Sequence, residues 1–246
     1  MRAAAAIAII LPTMLIAGCN QSSAHEGEAK GAGQGSQRSY QVGGFESVSL
    51  AGPHDVIVTV GGAPSVRAVG PSEALDQLEV RVDNGELIVG TKHRSWSWGF
   101  GSHRQKVTVY VTAPSLSAAA VAGSGDMKID RIEGGRFEAA ISGSGDLSLP
   151  HVRVGDASFS IAGSGSISAA GAAEKARVSI AGSGSVDGGA FQSRDANVSI
   201  AGSGGARLRA TGNASVNIMG SGSVDISGGA KCQVSKMGSG HANCSA

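Results

Sequence analysis

The chain has 246 residues, and its 20 Lys and Arg against 19 Asp and Glu leave a formal net charge of +1. With no long run of either sign, that balance excludes the electrostatic footprint of a nucleic-acid binder and a polybasic membrane patch. The 39 glycines and 4% aromatic content would read as low complexity, except that Val, Ile and Leu recur at regular positions through the second half.

At the N-terminus Arg2 precedes an apolar stretch, Ala3 to Ile16. It is too short to cross a bilayer as a helix and suits the core of a signal peptide. It ends in Leu15-Ile16-Ala17-Gly18-Cys19, which resembles the lipobox of bacterial lipoproteins. That resemblance implies removal of residues 1–18 and acylation of Cys19, so the membrane becomes a partner through an N-terminal lipid anchor. Each buried methylene of the acyl chains adds about 0.8 kcal/mol of membrane affinity. Asn20 stands where an Asp would signal inner-membrane retention, so the expected location is the cell envelope, at the outer membrane. Gln21 to Arg38 carry almost no bulky apolar group and cannot offset their own ordering entropy. Residues 19–38 therefore read as a flexible tether with a reach of roughly 20 to 25 Å.

Residues 39–115 alternate apolar and polar positions in DVIVTV (Val56, Val58, Val60), LEVRV (Leu78, Val80, Val82) and KVTVYV (Val107, Val109, Val111). Period-two patterning of this kind predicts strands with one buried face. Asp83-Asn84-Gly85 lies between LEVRV and ELIVG, a hairpin signal. Pro71 to Asp76 predicts a single helical turn. Phe45 to Gly52 (FESVSLAG) echoes Phe137 to Gly143 (FEAAISG), as though a degenerate coil stands at the start.

In residues 116–246 the tripeptide Gly-Ser-Gly begins at Gly123, Gly143, Gly163, Gly182, Gly202, Gly220 and Gly238, at spacings of 20, 20, 19, 20, 18 and 18. Two residues before each corner stand Val121, Ile141, Ile161, Ile180, Ile200, Ile218 and Lys236. The positions four before and four after are apolar in every copy, with Ser, Asn, Arg or Asp between them. This predicts an all-β fold, a β-solenoid of 18–20-residue coils preceded by an irregular β segment, with 39–246 one continuous domain. Each coil is a strand, a corner, a second strand and a variable return such as Glu133 to Arg136 or Gly171 to Lys175. No coil buries its apolar face alone; stacking at roughly 4.8 Å builds a shared core and pairs the backbone from coil to coil. Glycine is required at the corners by positive φ or by close backbone approach, and the serines between them form a ladder along one edge. Leucine-rich repeats share this coil length but need a Leu-x-x-Leu-x-Leu pattern that does not occur.

With Cys19 spent on lipid, Cys232 and Cys244 are the two cysteines left, in an oxidising compartment. They lie six residues before and six after Gly238. Earlier coils place apolar side chains there, so both thiols point inward across the last coil, and a disulfide between them is expected.

Phe45 to Leu50, DVIVTV, the strand ending in Leu78 to Val82, the turn at Asn84 to Leu87, KVTVYVTAPSL and the serial Gly-Ser-Gly-Asp units together resemble the GIN-domain family. Its members are described as heads of auto-transporter adhesins, many of them lipoproteins. The resemblance covers residues 39 to 244 and implies a β-helical fold and a role in adhesion, with no catalytic or ligand residues to carry over.

Gly-rich sequence invites nucleotide motifs, but neither G-x-G-x-x-G opening a helix nor G-x-x-x-x-G-K-[ST] occurs. No G-x-S-x-G elbow marks a nucleophile. The six histidines lack metal-ligand spacing. Asp126 and Asp146 follow successive corners and could share a cation such as calcium; a solvated edge is the simpler reading, because later coils place Ser166, Ser185, Gly205, Ser223 and His241 there. Ser95 to Phe100 (SWSWGF) holds both tryptophans, making Trp96, Trp98 and Phe100 a candidate partner contact, or else a cap on one end of the stack. The expected function is a non-enzymatic, adhesin-like binding or structural module with no cofactor, facing the periplasm or the cell exterior, and a protein or glycan as ligand. A glycan-processing β-helix enzyme and an envelope-assembly scaffold are the alternatives.

Overall fold

The computed structural model describes residues 36–92 and 106–245. The signal peptide, Cys19, most of the tether and the SWSWGF loop with Trp96, Trp98 and Phe100 lie outside the described residues. The rest is all-β with one short helix among the described residues, α1 (Ser72–Gln77), one residue later than the sequence suggests.

The first part comprises β1 (Gln37–Tyr40), β2 (Ser47–Gly52), β3 (Asp55–Val60), β4 (Ser65–Val69), α1, β5 (Leu78–Asp83), β6 (Glu86–Thr91) and β7 (Thr108–Ala113). β5 and β6 form the expected antiparallel hairpin. Asn84 and Gly85 both take positive φ, 48° and 79°, the geometry that matches hairpin twist. This segment is less separate than its irregular sequence suggests. β2 pairs in parallel with β8 (Ala118–Gly123), and β3 with β9 (Met127–Ile129). The echo in FESVSLAG is therefore a true coil, with Gly52 directly beside Gly123.

The repeats supply β10 (Ile132–Gly143), β11 (Asp146–Gly163), β12 (Ser166–Gly182) and β13 (Ser185–Gly202). After them come β14 (Gly205–Ala210), β15 (Asn213–Gly220), β16 (Ser223–Ser227), β17 (Lys231–Met237) and β18 (His241–Cys244). All pair in parallel with the coil before and, except for β17 and β18, with the coil after. The variable returns at Glu133 to Arg136 and Gly171 to Lys175 are laddered strand. Glu133 pairs with Arg153 and Arg136 with Asp156, so a third side is hydrogen-bonded too. Differences in coil length are absorbed by register shifts, as between Leu149 and Val152 where β11 meets β12.

The inward rows follow the alternation. Ile141, Ile161, Ile180, Ile200 and Ile218 stack in register and are fully buried. Burial of one such side chain contributes about 1.5 to 3 kcal/mol. Phe159 and Phe191 meet edge to face with ring centroids 5.5 Å apart, a favourable arrangement of the ring quadrupoles.

The two glycines of a corner are required for different reasons. The first has positive φ in every copy, for example 123° at Gly182 and 131° at Gly202. The second does not, but a Cβ on Gly184 would lie 2.6 Å from the carbonyl oxygen of Gly165 in the coil below. The approach is this close because the carbonyls of Gly123, Gly143, Gly163 and Gly182 each accept two backbone N–H groups from the next corner. The N–H of Ser203 and of Gly204 donate to Gly182 at 2.9 and 3.1 Å.

The last coil has no successor. Val234 and Met237 are 41% and 72% exposed, and Lys236 pairs with Ile218 at the row's uncovered end. A charge at an inward position of an edge strand discourages edge-to-edge aggregation. The expected disulfide is present: Cys232 and Cys244 are bonded, with Cα atoms 6.6 Å apart. Their register partners are the buried Ala214 and Ile226, so both point inward. Cys232 remains only partly buried and Cys244 is exposed, because nothing stacks above them.

Candidate binding face

Side chains at odd positions before a corner leave the sheet outward. On the last four coils two outward rows run along the solenoid axis. The outer row is Lys175, Asp195, Asn213 and Lys231; the inner row is Arg177, Asn197, Ser215 and Gln233. Between them runs the backbone of Ala176, Ala196, Ala214 and Cys232, whose side chains point inward, and the rows flank a groove of about 550 Å³. Its volume falls in the range of ligand sites, roughly 300 to 1,000 Å³.

The carboxylate of Asp195 is committed to the fold. Its Oδ1 accepts the Asn213 backbone N–H at 3.2 Å and the Asn213 side-chain amide at 3.1 Å. These bonds, the side-chain amide first, hold the Asp195 pKa below the ordinary carboxylate value. Arg177 lies 3.7 Å from Asp156. Among the described residues, neither Lys175 nor Lys231 has a carboxylate within ion-pair distance.

Asp126 and Asp146, candidates for a shared cation, have a different task. Asp126 Oδ1 accepts the N–H of Asp146 at 3.2 Å, and Asp146 Oδ1 accepts the N–H of Ser166 at 3.0 Å. Each carboxylate thus receives the first N–H after the next corner. In later coils the second glycine's carbonyl takes over, as Gly165 does for Ser185. Among the described residues no three His, Cys, Asp or Glu side chains gather as a metal-binding group.

His54 stands where a corner normally has its second glycine, and it is only 5% exposed. Its Nε2 lies 3.2 Å from Thr91 Oγ1, while Nδ1 is buried without a partner. Burial holds the His54 pKa below its ordinary value against the opposing charge of Asp55, so the ring is neutral in neutral medium.

The groove escaped the sequence reading because Lys175, Arg177, Asn213, Lys231 and Gln233 look like ordinary solvated residues one by one. Their positions, seven and five before successive corners, were the available signal.

The fold and this face define a class: a stacked β-solenoid carrying a polar outward groove and no helix, among the described residues, long and apolar enough to cross a membrane. The model of a family described as "Putative auto-transporter adhesin, head GIN domain" matches residues 44–230, and the chain belongs to that family. Solved structures share the fold. A "putative adhesin" from Bacteroides fragilis superposes with a TM-score of 0.77 at 21% identity, over 85% of this chain and 95% of that one. A "putative lipid binding protein" from Parabacteroides distasonis gives 0.71 at 24% identity, over 87% and 98%. A "putative adhesin" from Parabacteroides merdae gives 0.66 at 19% identity, over 87% and 97%. Comparison with curated proteins returns no match.

Proposed function

We propose that the chain is a lipid-anchored envelope lipoprotein acting as a non-enzymatic, adhesin-like binding module. Its contact surface is the outward face before the Gly-Ser-Gly corners. The observation that carries this is the groove: two register-locked polar rows on a rigid parallel stack. A backbone held by a ladder that spans the domain has no ordering left to pay on binding, which favours recognition of an extended ligand.

The enzyme reading fits less well. Glycoside hydrolysis needs two carboxyl groups, roughly 5 to 9.5 Å apart. The groove is lined by a single carboxylate, Asp195, and that one already holds Asn213.

Cys19→Ser is expected to move the protein from the membrane fraction to the soluble fraction and to abolish attachment of the cells that carry it. Two or more acyl chains make an anchor stable and one makes it marginal, so the shift should be nearly complete. A variant that still sediments with membranes contradicts the anchor. Release without any change in attachment contradicts the adhesive role.

A further inference from the structure

We infer that the groove on the last four coils binds a linear polysaccharide bearing carboxylate groups, laid along the solenoid axis. The inference rests on the binding reading above and names its ligand class.

Three observations point to this chemistry. First, the groove runs across strands, with equivalent outward positions repeating from coil to coil at roughly 4.8 Å. A linear polymer presents equivalent groups repeatedly, and the outer row offers Lys175 and Lys231 three coils apart, roughly 14 Å. Second, the lining holds three cations, Lys175, Arg177 and Lys231, against the one carboxylate of Asp195. Asp195 is already hydrogen-bonded to Asn213, and neither lysine has an ion-pair partner among the described residues. Three cations against one hydrogen-bonded carboxylate leave this edge net positive, complementary to an anionic chain. Third, no aromatic side chain lines the groove. Uncharged sugars gain much of their affinity by laying a C–H face on an aromatic ring, which is not offered here. Hydroxyl groups can instead meet the amides of Asn197 and Gln233 and the hydroxyl of Ser215, while carboxylates meet the lysines.

A peptide is the weaker candidate. Every strand beneath the groove except the terminal β17 is paired on both sides, so strand addition is open only at that last edge and not along the groove. The small floor residues offer no pocket for a side-chain anchor.

The full-length protein should be titrated with polygalacturonate and with the same polymer fully methyl-esterified. It is expected to bind the first and not the second, and to bind more weakly as salt rises, because exposed charges are screened. Lys175→Gln with Lys231→Gln should weaken binding of polygalacturonate by about tenfold or more. Lys128→Gln, on the sheet after the corner, should leave it unchanged. All three lysines are exposed, so unchanged thermal melting is expected and checks that the fold is intact. Equal binding of the esterified polymer overturns the acidic ligand but leaves a glycan-binding module. Undiminished binding by the double variant overturns the groove as the site. Binding of neither polymer overturns the inference, and attachment by whole cells then decides separately whether the chain is a binder at all.

Discussion

Gly182→Val is expected to lower the melting temperature by roughly 6 to 12 °C. Gly182 has a φ of 123°, where a β-branched residue is a genuine outlier. A Cβ there would also run into the carbonyl oxygen of Gly163. That oxygen cannot yield, because it accepts the N–H groups of Ser183 and Gly184 at 2.9 and 3.0 Å. Strained backbone of this kind costs about 1 to 3 kcal/mol. Displacing a buried hydrogen-bonded carbonyl adds to it, giving about 3 kcal/mol in all, with roughly 2 to 4 °C per kcal/mol for a domain of this size. Ser183, exposed between the two glycines, serves as the control, and Ser183→Ala should stay within about 0.5 kcal/mol of the parent. Circular dichroism melts of both variants check the pair. Equal melting for Gly182→Val and the parent would mean that the corner is not held by its glycine.

Replacing Cys232 and Cys244 together by Ser should cost about 3 kcal/mol by the loop-entropy estimate for a ring of a dozen residues. The loss should be local. β17 and β18 pair with only one neighbour each, so the last coil can fray without opening the coil beneath. Hydrogen exchange is therefore expected to quicken across residues 231–245 and to change little around Ile180 and Ile200, whose rows are covered on both sides. Because Cys232 closes one end of the groove floor and Lys231 its outer wall, the same variant should also weaken any ligand held there. Exchange that quickens uniformly through the whole stack would show instead that the bridge supports global rather than terminal stability.

Much of this fold was legible in the residues. A near-constant interval between Gly-Ser-Gly units, with β-branched residues two positions before them, specifies a stacked coil through burial alone. The inward placement of Cys232 and Cys244 followed from register, since Ala214 and Ile226 point inward one coil below. Less visible were the returns. Glu133 to Arg136 and Gly171 to Lys175 lack clean alternation, and their pairing is imposed by the ladder on either side rather than by local propensity. The continuity of the first segment with the stack was expected on FESVSLAG alone, because Pro53 and His54 stand where other corners have Ser and Gly. The groove was hidden for another reason. It depends on the stacking that lines up Lys175, Arg177, Asn213, Lys231 and Gln233 in two rows, which no single coil displays.

An adhesive binding face must be reachable from outside the cell. The most direct measurement is protease shaving of intact cells followed by detection with an antibody against the domain, with a periplasmic protein as the control for membrane integrity. Loss of the antibody signal while the periplasmic control stays intact is the predicted result. Survival of the signal until the outer membrane is broken would place the domain on the inner side and contradict an adhesive role.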